Sequence, residues 1–301
     1  MEIISRNNMA KHQKFLPQKK NALILDAGGG TGYWAIKLAK LGYKVILTDI
    51  SEKMLKVAKN KIKKQKLEKN IEVRRVDIRD MSCFPSNYFD MALAEGDPVS
   101  YCLKPEKAIK ELARVVKPNS HVIVSVDSKY PAISRLIAEE SFNKIPKFIE
   151  TGILEHEHKF QAFSPEELRN LFESNGLKVI KIIGKPVLVQ LIPKEKREEI
   201  IKKHFRKILN LELKYCDNSS LIGFGGHLEI VGVKKRIQGT PLALKSRRDL
   251  PYRIVEQRIN GSPSVHSNPF APSLNPNLGE MFTSGQNIKS QNSYANKEEK
   301  S

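Results

Sequence analysis

The fold of this 301-residue chain is decided by the stretch Leu23-Ile24-Leu25-Asp26-Ala27-Gly28-Gly29-Gly30-Thr31-Gly32. An apolar strand that runs directly into glycines brings backbone amides close to a ligand, because no Cβ atom blocks the approach. The alternating glycines Gly28, Gly30 and Gly32 are spaced by two and two, whereas the dinucleotide-binding fingerprint spaces its glycines by two and three. We therefore predict a ligand-binding turn of another type between the first strand and the first helix.

An acidic residue, Asp26, stands two positions before the first of these glycines. The resulting pattern, acidic-x-Gly-x-Gly-x-Gly, resembles the cofactor motif of the class I S-adenosylmethionine-dependent methyltransferases. The resemblance covers residues 21–185, and residues 227–234 resemble the last strand of that family. It implies an α/β fold: a Rossmann-like, seven-stranded, mostly parallel sheet with helices on both faces and a final antiparallel strand. It also implies an enzyme that uses S-adenosylmethionine as its cofactor.

The residues around this motif agree with such a sheet. Between Ala22 and Val126 short β-branched runs alternate with longer amphipathic stretches, which is typical of βα units. Ser51 is expected to cap one helix, and Ser164, Pro165 and Glu167 form a capping box at the start of another. A helix that begins at Pro105 should present Ile109, Leu112, Ala113 and Val116. Strands are expected at 22–25, 45–47, 71–76, 89–94, 122–126, 177–183 and 227–233.

The same pattern divides the chain into parts. Residues 1–20 form an N-terminal extension, and residues 21–235 form the methyltransferase domain. Inserts at 129–163 and 185–226 fall outside the βα rhythm, and we expect them to form a lid. The second insert holds apolar residues at helical spacing among basic ones, which fits a helix packed over the core better than a membrane-surface helix: Ile201, Phe205, Ile208 and Leu209. Residues 236–301, rich in Ser, Asn, Pro and Gly, are predicted to be disordered.

The acidic residue at the end of the second strand, Asp49, can accept hydrogen bonds from both hydroxyls of a ribose. The other cofactor contacts are implied by the resemblance alone. It places Asp77 against the adenine amino group, with Asp80 as a rival for that contact, and Ile50 and Ile78 on the two faces of the adenine ring. It also places Glu95 where the backbone touches the cofactor.

Candidates for the acceptor side follow the fourth strand, because open α/β sheets bind ligands at the carboxyl ends of their strands. Asp97 and Tyr101 lie there and are candidates for facing the acceptor. The segment Asp97-Pro98-Val99-Ser100-Tyr101 also resembles the motif of amino-methyltransferases that act on nucleobases. It lacks that motif's second proline and spaces the tyrosine one residue too far, so we interpret this likeness as coincidence.

A pair of histidines, His156 and His158, lies on one side of an extended segment. An imidazole there is suited to act as a base, and two histidines at this spacing also suggest a metal ligand pair. The nearby Glu155 and Glu157 point the other way, so we predict no metal; a solvated strand edge explains the spacing as well as catalysis does. Family members often place a histidine here above the methyl group, which favours His158 as a catalytic residue.

The formal net charge of +19 and the pI near 9.7 would suit a polyanionic partner. Most of the excess is lysine spread over helix faces, so we favour a small-molecule acceptor, with RNA or protein as the alternative. A nucleotide-binding protein without catalysis is a third interpretation, which the intact set of carboxylates and glycines disfavours.

Three widely spaced cysteines give neither a disulfide framework nor a zinc pattern. The N-terminus lacks the features of a signal peptide, and no apolar run has the length of a membrane span. The sequence therefore predicts a cytoplasmic enzyme. It leaves the oligomeric state open.

Overall fold

The computed structural model of the protein describes residues 13–155 and 158–236. Seven strands form one sheet, and two short strands form a separate hairpin. The strands of the large sheet are β1 (Leu23–Ala27), β2 (Lys44–Asp49), β3 (Ile71–Arg75), β4 (Phe89–Ala94), β5 (Val116–Asp127), β8 (Leu177–Lys185) and β9 (His227–Lys234). The hairpin consists of β6 (Ile153–Glu155) and β7 (Lys159–Gln161).

The sheet has the strand order β3-β2-β1-β4-β5-β9-β8. Its first five strands are parallel, while β9 runs antiparallel to both of its neighbours, β5 and β8. The predicted fold class, a mostly parallel seven-stranded sheet with a final antiparallel strand, is therefore confirmed. Because β9 is reversed, its first residue lies at the edge where the parallel strands end.

Helices cover both faces of this sheet, as predicted. The α-helices of the described residues are α1 (Tyr33–Lys40), α2 (Glu52–Lys64), α3 (Pro98–Tyr101), α4 (Pro105–Val115), α5 (Lys129–Ala138), α6 (Ile145–Thr151), α7 (Pro165–Ser174) and α8 (Lys194–Tyr215). The apolar stripes of α1 and α2 pack on one face, and those of α4 and α7 pack on the other. Burial of these two clusters is the main contribution to folding.

Local capping signals place the helix starts correctly. The Ser51 hydroxyl accepts a hydrogen bond from the Met54 amide at the start of α2. At α7 the predicted capping box is complete, since Ser164 and Glu167 each accept from the other's backbone amide. One expected position is wrong: Val116 is not on the face of the fourth helix but begins β5, because α4 ends at Val115.

The two inserts form small structures of their own. The first holds α5, α6 and the β6–β7 hairpin around a core that includes Leu136, Phe148 and Leu154. In the second, the apolar side of α8 packs against the turn at Leu188–Leu191, with Ile208 buried. The predicted helix is therefore present, but its expected position over the main core is wrong, because it packs on its own insert.

The predicted disordered tail, apart from its first residue Arg236, lies outside the described residues, as do residues 1–12 of the predicted N-terminal extension. Among the helices of the described part of the chain, none combines the length and the apolar character needed to cross a membrane.

Candidate active site

The glycine turn between β1 and α1 has the conformation that its sequence predicts. Gly28 and Gly30 have φ values of +66° and +54°, which side chains with a Cβ atom rarely adopt. A Cβ at Gly28 would lie 2.4 Å from the Cβ of Pro98, so close packing also requires glycine there. At Gly30 a Cβ would meet nothing nearer than 3.9 Å. The space next to Gly30 is therefore open, as a ligand cradle requires.

Asp49 ends β2 directly beside this turn. Its carboxylate accepts hydrogen bonds from the Gly30 amide at 2.9 Å and from the Ser51 amide at 2.8 Å. Burial raises the pKa of Asp49, whereas these amide hydrogen bonds act in the opposite direction. The sequence predicts a ribose contact for this carboxylate, and the structure adds a second task, which is to hold the glycine turn.

Asp26 lies fully buried beneath the glycine turn. One carboxylate oxygen accepts from the Ala35 amide at 2.9 Å, which fixes the start of α1. The other oxygen is buried and has no hydrogen-bond partner in the described structure. A buried acceptor without a partner is costly, so this oxygen fits a role in receiving a donor from a ligand or its water. Burial raises the pKa of Asp26 to about 7.

We expect Asp26→Asn to change how stability depends on pH. The pKa of Asp26 rises from 3.8 to about 7 on folding, so the native state binds the proton more tightly and the free energy of unfolding falls as pH rises through this window. Asparagine can still accept the hydrogen bond from Ala35 but does not ionise. Urea unfolding at several pH values should show that the free energy of unfolding of the wild type falls between pH 4 and 7 relative to that of the variant, by up to a few kcal/mol. A constant difference across that window would contradict the pKa assignment.

The proposed adenine side of the site is less completely formed. Asp77 is occupied by Arg79, whose guanidinium and amide both donate to its carboxylate at 2.6 to 3.0 Å. Asp80 caps the amide of Ser82 at 3.1 Å. Of the two apolar candidates, Ile50 is 49% exposed while Ile78 is 8% exposed and packs into the core. Contacts of Asp77, Ile50 and Ile78 with adenine stay predictions.

Across the glycine turn, three ionisable side chains meet where β4, β5 and the reversed β9 come together. His227 Nδ1 lies 2.9 Å from Asp97 Oδ2 and 3.8 Å from Asp127 Oδ1. The negative charge of Asp97 raises the pKa of His227 to about 9. Burial, reinforced by Asp97, raises the pKa of Asp127 to about 7. We call Asp97, Asp127 and His227 the edge cluster.

Two serines hold the edge cluster in place. The Ser125 hydroxyl accepts hydrogen bonds from the amides of Gly96 and Asp97 at 2.9 and 3.1 Å. The Ser100 hydroxyl accepts from the Asp127 amide at 2.9 Å. Asp97 also has a φ of +64°, an uncommon conformation for a residue other than glycine. The backbone around Asp97 is therefore fixed in a conformation that residues rarely adopt, which is frequent at functional sites.

A buried ion-pair network lies beside the edge cluster. Lys185 Nζ is 3.1 Å from Glu95 Oε2 and 2.8 Å from Glu229 Oε2, and all three side chains are at most 3% exposed. The side chain of Glu95 is thus committed to Lys185. A contact of Glu95 with the cofactor, as predicted, would have to come from its backbone.

The first insert reaches the site through Tyr101. The ring of Tyr101 lies 6.2 Å from the ring of Phe160 in β7, measured between ring centroids. Burial and the charges of Asp127 and Asp97 raise the pKa of the Tyr101 hydroxyl, which therefore stays protonated and suits a hydrogen-bond donor rather than a base. His158 lies half-buried in the turn of the β6–β7 hairpin, and His156 lies outside the described residues. Catalytic roles for Asp97, Tyr101 and His158 stay predictions.

Sequence reasoning missed His227 and Asp127. Asp127 directly follows the predicted fifth strand, so its place at the carboxyl edge was available from the sequence. His227 was recognised only as the start of a strand. The family resemblance implied that this strand is antiparallel, and the reversal puts its first residue at the same edge as Asp97.

Comparison with known proteins agrees with this fold. Residues 24–119 match a family described as "Methyltransferase domain". The chain is 34% identical over 133 residues to "Ubiquinone/menaquinone biosynthesis C-methyltransferase UbiE" of Vibrio cholerae. That match covers 41% of this chain and 49% of the relative, so the chain spans about half the length of the relative.

Two solved structures show the same fold at low identity. A putative S-adenosylmethionine-dependent methyltransferase from Listeria monocytogenes has a TM-score of 0.55 and 17% identity, with 78% of this chain and 100% of the other covered. Phosphoethanolamine N-methyltransferase 2 from Haemonchus contortus, in complex with S-adenosyl-L-methionine, has a TM-score of 0.52 and 18% identity, with 77% and 53% covered. At these identities the likeness concerns the fold.

Proposed function

Since this chain is a member of the class I S-adenosylmethionine-dependent methyltransferase superfamily, we propose that it binds S-adenosylmethionine at the glycine turn and transfers the methyl group to a small-molecule acceptor. The observation that carries the proposal is the open space at Gly30 beside the Asp49 carboxylate.

Several residues of the turn are suited to hold the cofactor. The free oxygen of Asp26 and the backbone of Gly28 to Gly30 would receive its amino-acid end, and Asp49 would bind its ribose. The backbone at Glu95 and Gly96, which Ser125 fixes, would bound the other side. Asp77, Ile50 and Ile78 would take the adenine.

When bound, the cofactor supplies a methyl group that is already activated by its sulfonium. The chain's own task is then alignment of the acceptor, which contributes up to roughly 7 to 11 kcal/mol in favourable cases. The two inserts would close over the carboxyl edge of the sheet and exclude water. Tyr101, packed against the first insert, would donate a hydrogen bond to the acceptor, and His158 would approach it from the hairpin.

Ligand-dependent stability tests the cofactor. We expect S-adenosylmethionine and its demethylated product to raise the melting temperature, because a ligand that binds only the native state stabilises it, by about 2.7 kcal/mol at one hundred times its Kd. NAD should give no shift, since the turn lacks the dinucleotide spacing of glycines. A rise in melting temperature with NAD, and none with the two sulfur compounds, would contradict the proposal.

A transfer assay with methyl-labelled cofactor and a metabolite extract addresses the acceptor. The likeness to a C-methyltransferase named for quinone biosynthesis supports a small molecule. The net charge of +19 is the observation that favours RNA instead. Transfer to RNA should fall steeply as salt rises, because phosphate contacts release counterions. Transfer to a small molecule should be nearly insensitive to salt.

A further inference from the structure

The edge cluster contains three buried polar atoms that lack partners. In the described structure, Asp97 Oδ1, Asp127 Oδ2 and His227 Nδ1 are each inaccessible to solvent and make no hydrogen bond of acceptable geometry. Each residue also offers one potential ligand atom, and those ligand atoms lie within 4.8 Å of one another. The carboxylate oxygens nearest to His227 Nδ1 are Asp97 Oδ2 and Asp127 Oδ1. A buried polar atom without a hydrogen-bond partner destabilises the folded protein, and here three such atoms belong to one cluster of side chains.

We propose that Asp97, Asp127 and His227 form a binding site for a divalent metal ion. Two carboxylate oxygens and one imidazole nitrogen are a donor set that first-row divalent ions such as Mn²⁺ and Zn²⁺ accept. The 2.9 Å separation of His227 Nδ1 from Asp97 Oδ2 matches neighbouring ligands of one ion, and the 3.8 Å separation from Asp127 Oδ1 corresponds to a wider angle at that ion. Metal–ligand bonds of about 2.1 Å at right angles put adjacent ligand atoms about 3.0 Å apart.

The local charges favour a dication. When deprotonated to bind an ion, Asp97 and Asp127 carry two negative charges and the imidazole carries none, so a divalent ion neutralises the group. The buried cation that acts on Asp97, Lys185, lies between the carboxylates of Glu95 and Glu229. A proton on His227 Nδ1 is the simpler counter-charge, but it reaches one acceptor and leaves Asp97 Oδ1 and Asp127 Oδ2 without partners.

Hydrogen bonds around the edge cluster hold its ligand-bearing residues in fixed positions. Asp97 is 5% exposed and is held by the Ser125 contact to its amide. Asp127 is held in the same way by Ser100. His227 Nδ1 is buried although 35% of the side chain is exposed, so the outer edge of the ring faces the solvent side of the sheet. Such fixed ligands lower the cost of ordering a site around an ion.

This inference does not rest on the proposed function, because it concerns binding by the protein without cofactor. Mn²⁺ titrated into the chelator-treated full chain should lose its free-ion electron paramagnetic resonance signal, with one ion bound per chain. Asp127→Asn and His227→Gln should each weaken binding at least about tenfold. Competition by Mg²⁺ and Zn²⁺ then identifies the preferred ion.

Two matched variants serve as controls. Asp90→Asn removes a carboxylate on β4 that pairs with Lys117 at 2.6 Å, at the opposite end of the sheet. His121→Gln removes a half-buried histidine in the middle of β5, six residues before Asp127, where it contacts the ring of Phe15. Both should bind Mn²⁺ like the wild type. Absence of stoichiometric binding, or binding that survives both Asp127→Asn and His227→Gln, would overturn the proposal; circular dichroism verifies that each variant is folded.

Discussion

Replacement of Asp49 by alanine is expected to weaken binding of S-adenosylmethionine about 100-fold while leaving the fold intact. The carboxylate is proposed to accept two hydrogen bonds from the ribose, and hydrogen bonds to a charged group contribute about 1.5 to 3 kcal/mol each. It also accepts a hydrogen bond from the Gly30 amide at 2.9 Å, so the alanine variant loses this contact that fixes the glycine turn. Together these losses correspond to roughly 3 kcal/mol, or two orders of magnitude in Kd. Isothermal titration calorimetry measures the change.

A neighbouring acidic residue provides the control for that experiment. Glu52 lies three residues after Asp49 and pairs with Arg75 at the surface, where its side chain is 74% exposed. Glu52→Ala therefore removes a similar charge nearby without touching the turn. We expect its Kd to match that of the wild type. An unchanged Kd in Asp49→Ala would mean that the ribose is bound elsewhere.

The second large effect is expected from Gly30→Ala, which should abolish measurable cofactor binding with only a modest loss of stability. The φ of +54° imposes strain of about 1 to 2 kcal/mol on any residue with a Cβ atom. No protein atom lies within 3.8 Å of the added Cβ, since the nearest is the Met54 side chain at 3.9 Å. The methyl group would instead enter the space proposed for the ligand. Chemical unfolding and calorimetry separate the two consequences.

Gly42→Ala is the matched control for strain. Gly42 also has a positive φ, +92°, and a Cβ there would meet nothing within 4 Å. It follows α1 on the connection to β2, away from the turn. We expect both variants to lose similar stability and only Gly30→Ala to lose binding. Equal binding by the two variants would show that the space at Gly30 is not a ligand site.

Much of the fold could be predicted because its signals are local. The glycine turn, the cap at Ser51 and the box at Ser164 and Glu167 each lie within a few residues, and each forms as expected. The succession of strands along the chain followed from the alternation of apolar runs, aided by the family resemblance. The end of α4 was misplaced by one residue at Val116, because an apolar residue fits a helix face and a strand start equally well.

The acceptor side of the site could not be predicted in the same way. The edge cluster joins residues that are far apart in sequence: Asp127 lies 30 positions after Asp97, and His227 lies 100 positions after Asp127. Only the pairing of reversed β9 with β5, which sets His227 opposite Asp127, brings them together. Residue spacing along the chain carries no signal of that contact. The buried partners Lys185 and Glu229 were missed for the same reason.

The inserts show a related limit. The apolar spacing around Ile208 correctly indicated a packed helix, but the predicted surface was wrong, since the helix packs on its own insert rather than on the core. In the first insert, the short hairpin of β6 and β7 was not predicted, since three-residue strands give too little alternation to detect. The contact of Phe160 with Tyr101 therefore became visible only in the structure.

A crystal structure of the protein with S-adenosylhomocysteine, the demethylated cofactor, tests the central claim most directly. We predict the amino-acid end of the ligand against the Gly28 to Gly30 backbone near Asp26, and both ribose hydroxyls within hydrogen-bond distance of the Asp49 carboxylate. A ligand bound elsewhere, or a glycine turn occupied by a pyrophosphate when NAD is supplied, would contradict it.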